Sequence, residues 1–410
     1  MADTRLVAAE TGCAVESVQR GYLAVVTESG VIVVGSGPAG VAAAESFREH
    51  DSRLPVRIFT ADIDLPYARP PLSKEYLRGQ TDDVELHSAQ WFDDREIELN
   101  RGAAVDRLDL SERALYVSDE RHSFDTLILT CGAAPVAPPI PGGQRALLLR
   151  SLAEATALRN AANTATSAVV IGSGFIGCEI AASLRMRGHP VELVSDEAAP
   201  NAARLGDEAA AIIREWLRED GVALTLGTPV DRIEPAGDAA TVIAGERRID
   251  AGVVVMASGV TPRSELAVQA GLELDHGAIA VDASMRSARD GVLAAGDVCK
   301  ALNVTAGRTL RVEHWGDALA QGEIAGATAA GADGGWDSVP GFWSTIGART
   351  LKYAAWGDGY DETRLQPHHD GGFTAWYGAG GRIVGVLTHD ADEDYERGRE
   401  RIAQGARWTW

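Results

Sequence analysis

The apolar positions of this chain occur in short runs that alternate with glycine-rich turns and helical stretches. Residues 31–34 are consecutive β-branched apolar residues, a pattern typical of a buried parallel strand. A glycine-rich turn, an alanine-rich stretch with helical character and a second apolar run at 56–60 follow. The same order of features returns between residues 168 and 194. The pattern therefore predicts two βαβ units in one chain.

The first turn has the spacing G-x-G-x-x-G, with Gly35, Gly37 and Gly40 as its glycines and Pro38 and Ala39 between them. The first glycine permits a tight turn, the second lets the backbone approach a pyrophosphate, and the third lets the helix pack close to the strand. The helix N-terminus then offers unpaired N–H groups and a positive dipole end to the phosphates. This turn is a candidate phosphate cradle.

The second turn repeats the spacing at Gly172, Gly174 and Gly177, with Phe175 and Ile176 opening the helix. A single match has an ordinary alternative, a glycine-rich turn without a ligand. Two matches, each between an apolar strand and a helix, make binding of two dinucleotides the stronger interpretation. Two dinucleotides in one chain indicate a flavin and a nicotinamide, although the glycines do not decide which cradle holds which.

An acidic residue after the second strand of such a unit binds ribose hydroxyl groups. Asp62 has the expected distance from the first cradle. In the second unit the strand is followed by Ser195, Asp196 and Glu197. Acidic neighbours would repel a 2′-phosphate, so we expect NADH in preference to NADPH.

The composition narrows the possible partners. The chain has 410 residues and a formal net charge of −21, which disfavours nucleic acid and anionic membrane surfaces as partners. We find no candidate membrane helix or secretory signal, and the four cysteines form no C-x-x-C pair. We therefore expect a cytoplasmic protein with reduced thiols and no metal site, and we interpret the His-His-Asp run at 368–370 as a solvated loop.

Eight motifs in order carry a resemblance to a known family: GSGPAG, PYARPPLSKEYL, FDTLILTCGAAP, LLLRSLAEA, GSGFIGCE, MASGVTP, VLAAGDV and RVEHWGDALAQG. The chain resembles the FAD-dependent, NAD(P)H-linked ferredoxin reductases, which include the putidaredoxin, rubredoxin and dioxygenase ferredoxin reductases. These belong to the glutathione-reductase-like flavoprotein superfamily. The resemblance implies electron transfer from NAD(P)H through FAD to a ferredoxin-type iron–sulfur protein that serves a P450 or oxygenase.

The resemblance implies an α/β fold with two Rossmann-like dinucleotide-binding domains and a small C-terminal α+β domain. The expected division is an N-terminal extension (1–29), a discontinuous FAD-binding domain (30–133 and 258–334), an NAD-binding domain (134–257) and a C-terminal interface domain (335–410). In the last part, strand patterns at 372–378 and 381–389 precede a charged helical pattern at 390–404. We expect a monomer or a homodimer.

The resemblance assigns the first cradle to FAD and the second to NAD. The implied FAD contacts are Gly35, Gly37, Pro38, Ala39, Gly40, Asp62, Arg69, Lys74, Val105, Gly132, Arg150, Asp297, His314 and Trp315. The implied NAD contacts are Gly172, Gly174, Phe175, Ile176, Gly177, Glu179, Ser195, Asp196 and Gly259.

The resemblance also makes Lys74 and Glu179 the candidate catalytic pair beside the flavin. Lys74 would stabilise negative charge on the reduced flavin, and Glu179 would hold Lys74, while hydride passes by proximity and orientation. From the residues alone, Glu179 is a simple carboxylate in the first turn of a helix. Trp315 is equally a core aromatic residue before a helix at 317–331, and a lone His314 is more often structural.

Several residues depart from the family pattern. Ala61 and Ser195 stand where the family has acids, Cys131 interrupts the usual ATG, and FWSTI at 342–346 replaces FWSDQ. The helical stretch at 41–50 has no cysteine pair, so electrons must leave for an external acceptor. Two alternatives to a ferredoxin reductase remain: a reductase of oxygen, quinone or another small acceptor, and a redox-responsive binding protein similar to apoptosis-inducing factor.

The net charge conflicts with the favoured partner, because ferredoxins are usually acidic and would be repelled by a chain of −21. We therefore expect the excess negative charge to lie away from the flavin edge. A basic patch built from residues such as Arg311, Arg349 and Lys352 would then receive the partner.

Overall fold

The structure of the chain is a computed structural model, which describes residues 29–51, 53–237 and 239–409. The expected N-terminal extension, apart from its last residue, lies outside the described residues. No helix of the described part is long and apolar enough to cross a membrane. Across those same residues, no group of three or more His, Cys, Asp or Glu side chains could hold a metal ion.

The helices of the described residues follow the predicted alternation with strands. In chain order they are α1 (Pro38–His50), α2 (Glu75–Arg78), α3 (Ala89–Asp94), α4 (Leu152–Thr164), α5 (Phe175–Met186), α6 (Ala202–Glu219), α7 (Glu265–Gln269), α8 (Trp315–Ala329) and α9 (Asp392–Ala403).

The strands of the described residues up to Met256 are β1 (Gly30–Val34), β2 (Val56–Thr60), β3 (Ile97–Arg101), β4 (Arg107–Asp109), β5 (Ala114–Val117), β6 (Glu120–Leu129), β7 (Ala133–Pro135), β8 (Ala168–Ile171), β9 (Val191–Val194), β10 (Ala223–Thr225), β11 (Arg232–Ala236), β12 (Ala239–Ala244), β13 (Arg247–Ala251) and β14 (Val253–Met256). The later strands are β15 (Val260–Pro262), β16 (Leu274–Asp275), β17 (Ala278–Val281), β18 (Val292–Ala294), β19 (Cys299–Asn303), β20 (Arg308–Leu310), β21 (Gly341–Ile346), β22 (Arg349–Ala355), β23 (Glu362–Pro367), β24 (Phe373–Ala379) and β25 (Arg382–His389).

The first sheet has the strand order β3-β2-β1-β6-β5-β4, and β18 also pairs with β6. Strand β1 lies between parallel partners β2 and β6, and all five of its residues are buried, which explains its uninterrupted apolar sequence. Strand β18 comes much later in the chain than β6, so the chain returns to this sheet after building the second one.

The second sheet is parallel, with the order β10-β9-β8-β14, and the antiparallel sheet β11-β12-β13 lies beside it in the chain. The predicted strand at 190–194 is β9, and the helix that follows the second cradle is α5. Both βαβ units predicted from the apolar pattern are therefore present.

The last part of the chain forms an antiparallel sheet with the order β21-β22-β25-β24-β23, followed by α9. The predicted strands at 372–378 and 381–389 are β24 and β25, each displaced by one residue at most. Side chains of this sheet share a hydrophobic core with those of the second sheet and its helices, including Ile346, Tyr353 and Phe373. Because of this shared core, β21 packs against α5, and this contact sets the position of the candidate site.

Helices α1 and α8 pack closely because α8 carries glycines where it faces α1. A Cβ atom on Gly322 would lie 2.3 Å from the carbonyl oxygen of Ala39, and one on Gly326 would lie 2.2 Å from that of Ala43. Helix α8 begins at Trp315, two residues before the predicted start. The contact holds a late part of the chain against the helix of the first cradle.

We predict that Gly326→Ala destabilises the protein, because its methyl group has no space against the α1 backbone. Chemical denaturation should show a loss of about 1–3 kcal/mol in the free energy of unfolding. Gly316→Ala is the matched control, since nothing lies within 4 Å of a Cβ on this residue of the same helix. Equal stability of the two variants would contradict the close-packing explanation.

Candidate active site

The first cradle has the geometry that its glycine spacing predicts. Gly35 has a φ of 111°, a value in the left-handed region that favours glycine. A Cβ on Gly40 would lie 2.0 Å from the carbonyl oxygen of Gly35, so only glycine lets α1 start this close to the turn. Gly37 caps the N-terminus of α1, where its backbone leaves the helix N–H groups free to bind a phosphate.

The second cradle repeats this geometry. Gly172 has a φ of 106°, and a Cβ on Gly177 would lie 2.1 Å from the carbonyl oxygen of Gly172. Gly174 caps the N-terminus of α5, and nothing lies within 4 Å of a Cβ placed on it. The space above this helix N-terminus is therefore open to a ligand.

Two arginines crowd the first cradle. Arg69 lies over Gly37, with its Nη1 atom 2.9 Å from the position of a Cβ on that glycine. Arg150 forms an ion pair with the buried Asp297. The Nε atoms of Arg69 and Arg150 are buried without a hydrogen-bond acceptor in the described part of the chain. Burial and the neighbouring Arg150 lower the pKa of the Arg69 guanidinium.

A buried donor without an acceptor is costly, so the unsatisfied Nε atoms of Arg69 and Arg150 favour an acceptor supplied by a ligand. A pyrophosphate would supply acceptors for these two donors, and its negative charge suits a pair of guanidinium groups. The residues of the first cradle therefore fit the pyrophosphate of FAD, and the open space at Gly174 fits that of a nicotinamide dinucleotide.

Lys74 and Glu179 meet in a buried ion pair, although they are far apart in sequence. Lys74 stands between a 3₁₀ helix (Pro70–Ser73) and α2, whereas Glu179 is the fifth residue of α5. The Lys74 Nζ atom lies 3.0 Å from Glu179 Oε2, and both side chains are less than a tenth exposed. The structure thus brings the predicted catalytic pair together, with Glu179 in the second turn of α5 rather than the first.

Three further donors hold the Glu179 carboxylate. Ser73 Oγ donates to Oε2 at 2.5 Å, while Ser344 Oγ and the Thr345 N–H donate to Oε1 at 2.7 and 3.1 Å. With Lys74, the carboxylate accepts four hydrogen bonds in a buried place, so both of its oxygens have partners. Sequence reasoning missed Ser73 and Ser344 as site residues. The only signal was their position inside two of the recognised motifs, LSK and FWS.

The two acids expected at ribose hydroxyls differ in their surroundings. Asp62 accepts a hydrogen bond from the phenol of Tyr67 at 2.8 Å, and that phenol also accepts the Leu152 N–H. Burial raises the pKa of Tyr67 to about 12, so the phenol remains a donor to Asp62. Asp62 thus joins the strand end to the start of α4, and it keeps acceptor capacity for a ribose.

At the end of β9 the Ser195 hydroxyl oxygen accepts two hydrogen bonds. Ser173 Oγ in the second cradle lies 2.8 Å from it, and the Glu197 N–H donates to it at 3.1 Å. Asp196 is exposed beside this buried serine. The structure therefore places both residues next to the cradle glycines, with the free carboxylate on the exterior.

The other predicted contacts lie around the two cradles. Val105 is half-buried and packs on the hydrophobic core around the first sheet. Gly132, which follows β6, has a φ of 70°, and Gly259, just before β15, has a φ of 95°. His314 caps α8 and contacts Asp317 at 3.0 Å, while its ring packs on Phe342.

Trp315 is the first residue of α8. It is half-buried and belongs to none of the hydrophobic clusters of the described residues, so the interpretation as a core aromatic residue is wrong.

The described cysteines are free thiols, Cys131, Cys178 and Cys299. Burial raises the pKa of Cys131 to about 12 and raises those of Cys178 and Cys299 further. A thiolate is the reactive form of cysteine, so these residues are unsuited to redox chemistry at neutral pH.

The expected basic patch is wrong, because all three of its cations are paired with acids. Arg349 contacts Glu219 and Asp220 at the end of α6. Lys352 contacts Asp392, and Arg311 contacts Glu313. These pairs neutralise the charges on which the patch depended, and they spread the cations over separate contacts.

Comparisons with known proteins agree with this geometry. The family model "Pyridine nucleotide-disulphide oxidoreductase" matches residues 29–322. Rhodocoxin reductase of Rhodococcus erythropolis is 34% identical over 91% of this chain and 89% of its own length. The ferredoxin–NAD(+) reductase component of the anthranilate 1,2-dioxygenase system of Burkholderia cepacia is 32% identical over 92% and 94%.

A solved structure, the covalent putidaredoxin reductase–putidaredoxin complex, contains a similar chain. It superimposes with a TM-score of 0.86 and 26% identity, covering 92% of this chain and 94% of that one. The repeated cradles, the buried Lys74–Glu179 pair and the family match lead to one conclusion: the chain belongs to the pyridine nucleotide-disulphide oxidoreductase family, and within it to the FAD-dependent ferredoxin reductases.

Proposed function

We propose that this protein oxidises NADH with bound FAD and passes the electrons to a ferredoxin-type iron–sulfur protein. The observation that carries the proposal is the buried Lys74–Glu179 pair, which joins the segment after the first cradle to the helix that opens at the second. A pair in this place can act on a hydride acceptor and a hydride donor bound side by side. The relatives named above as reductases of ferredoxin-type partners support the choice of acceptor.

The proposed division assigns residues 30–133 and 258–334 to FAD, 134–257 to NADH and 335–410 to the interface domain. The return of β18 to the first sheet supports the discontinuous FAD unit. Arg69, Arg150 and the N-terminus of α1 would hold the FAD pyrophosphate, and the N-terminus of α5 that of NADH. Bound FAD supplies an acceptor of two electrons from a hydride and a donor of single electrons.

Lys74 would act by electrostatics at this site. An ammonium group has three donors, and among the described residues the only acceptor within hydrogen-bond distance of Nζ is Glu179. Two N–H groups are thus left for an acceptor supplied by a ligand. A buried cation with free donors stabilises negative charge that develops beside it, and it needs no reorganisation during the reaction.

In this proposal the cysteines transfer no proton and Glu179 holds Lys74, which their buried contact supports. Glu179 is 2% exposed and Ser344 1% exposed, so water has little access to the pair. Exclusion of water strengthens the interaction of Lys74 with a neighbouring charge. Orientation of donor and acceptor by the two cradles then accounts for the rest of the catalysis.

We also propose that the protein works in the cytoplasm. The cysteines of the described residues are free thiols, as is usual in a reducing compartment. Relatives with ferredoxin-type partners also come from bacteria, which supports the same compartment.

The decisive experiment is cytochrome c reduction by the FAD-loaded protein with NADH and a bacterial [2Fe–2S] ferredoxin. We expect turnover that requires both NADH and the added ferredoxin. Direct turnover with oxygen or a quinone at a comparable rate would identify a small-acceptor reductase instead. A long-lived reduced complex with little turnover would identify a redox-responsive binding protein.

We predict that Lys74→Ala slows reduction of the flavin by NADH by about 100-fold, the usual effect of removing one preorganised donor. Anaerobic stopped-flow absorbance without ferredoxin measures this step directly. Lys300→Ala is the control, because that ammonium contacts Asp275, away from Glu179. An unchanged single-turnover rate in Lys74→Ala would refute the assigned role.

We predict that Asp196→Arg raises the ratio of kcat/KM for NADPH to that for NADH by about 10-fold, because a cation replaces an anion beside the ribose position. Steady-state kinetics with both nucleotides measure the ratio. Asp333→Arg makes the same charge change at another exposed site and should leave the ratio as it is. A wild-type preference for NADPH would contradict the nucleotide assignment.

A further inference from the structure

The Glu179 carboxylate is held from two sides by different parts of the chain. Oxygen Oε2 receives Ser73 and Lys74, from the segment that follows the first cradle. Oxygen Oε1 receives Ser344 and the Thr345 N–H, from β21 of the C-terminal sheet. Glu179 itself belongs to α5 of the second cradle. The orientation of this carboxylate therefore depends on three separate segments.

We propose that Ser344 is a positioning residue for hydride transfer, acting through Glu179 on Lys74. This inference rests on the proposed function. The Ser344 hydroxyl would fix the rotation of the carboxylate, so that Oε2 meets Lys74 in one orientation. The small C-terminal sheet would then contribute to the reductive half-reaction and not only to partner binding.

The local geometry favours this role. Strand β21 is an edge strand paired with β22, and Ser344 lies between Phe342 and Ile346 on the face directed at the second unit. Its hydroxyl is buried and donates to Oε1 at 2.7 Å. A hydrogen bond to an ionised group contributes more than one between neutral groups. Without it, Oε1 keeps only the backbone N–H of Thr345.

Other contacts already attach the sheet to α5 and α6. Arg78 donates to Ser183 of α5 at 3.1 Å and to the carbonyl oxygen of Gly347 at 3.2 Å. Phe175 packs edge-on against Phe342, with ring centroids 4.8 Å apart. Arg349 holds the end of α6. Loss of one hydroxyl group leaves these contacts in place, so an effect on Lys74 can be separated from undocking of the sheet.

The test compares Ser344→Ala with Ser344→Thr, which keeps a hydroxyl group on the same carbon. Thr350→Val is the matched control on β22, since the Thr350 hydroxyl contacts only the Thr345 hydroxyl and not Glu179. Three quantities are measured on each FAD-loaded variant without ferredoxin: the anaerobic rate of flavin reduction by NADH, the midpoint potential of the bound FAD, and the thermal midpoint of unfolding.

We expect Ser344→Ala to reduce the flavin about 10-fold more slowly, the effect of losing one charge-assisted hydrogen bond. Its midpoint potential should become more negative, because a displaced Lys74 stabilises the reduced flavin less. Ser344→Thr should recover most of the rate and potential, and Thr350→Val should match the wild type in both.

A lower thermal midpoint in Ser344→Ala with an unchanged rate and potential would overturn the proposal and leave Ser344 a structural residue. The same holds if Ser344→Thr behaves like Ser344→Ala, or if Thr350→Val lowers the potential equally. If Ser344→Ala does not fold, Ser344→Cys takes its place in the same comparison, because a thiol keeps the shape of the side chain and donates only weakly; a wild-type rate and potential in that variant would overturn the proposal. Failure of wild-type flavin reduction by NADH would instead refute the proposed function.

Discussion

The structure depends on one buried charge that must be satisfied. Glu179 is 2% exposed, and an ionised carboxylate in such a place is stable only with a nearby cation and full hydrogen bonding. Lys74, Ser73, Ser344 and the Thr345 N–H meet this requirement. Because these donors and Glu179 come from three regions of the chain, the hydrogen-bonded site forms only when those regions pack together. The assembled site is therefore a consequence of the packing of the whole chain.

The cradles impose a second constraint, which is steric. Each places a left-handed glycine at the end of its first strand and a second glycine against the carbonyl oxygen of the first. Helix α1 is additionally held by the glycines of α8, so the late part of the chain supports the first cradle. Arg69 and Arg150 carry buried Nε donors without an acceptor among the described residues, and an anionic ligand would satisfy them. Close backbone packing and unsatisfied cations together define the ligand class.

The net charge of −21 remains compatible with an acidic partner only if the contact avoids long-range repulsion. The pairs of Arg311, Arg349 and Lys352 with neighbouring acids remove the simplest source of attraction. The sequence could not reveal this, because pairing of surface charges depends on which side chains the fold brings within about 4 Å.

The amino-acid sequence by itself determined the two βαβ units, the cradle glycines and two strands of the last sheet, β24 and β25, because these follow from local periodicity and from the backbone freedom of glycine. It also identified Lys74 and Glu179 through motif resemblance. Only the tertiary structure decided that Ser73 and Ser344 hold Glu179, that Trp315 lies outside the core, and that the expected basic patch is neutralised. These facts depend on contacts between residues distant in sequence. No local pattern encodes which distant donor reaches a buried carboxylate, since that is set by the packing of sheets and helices against one another.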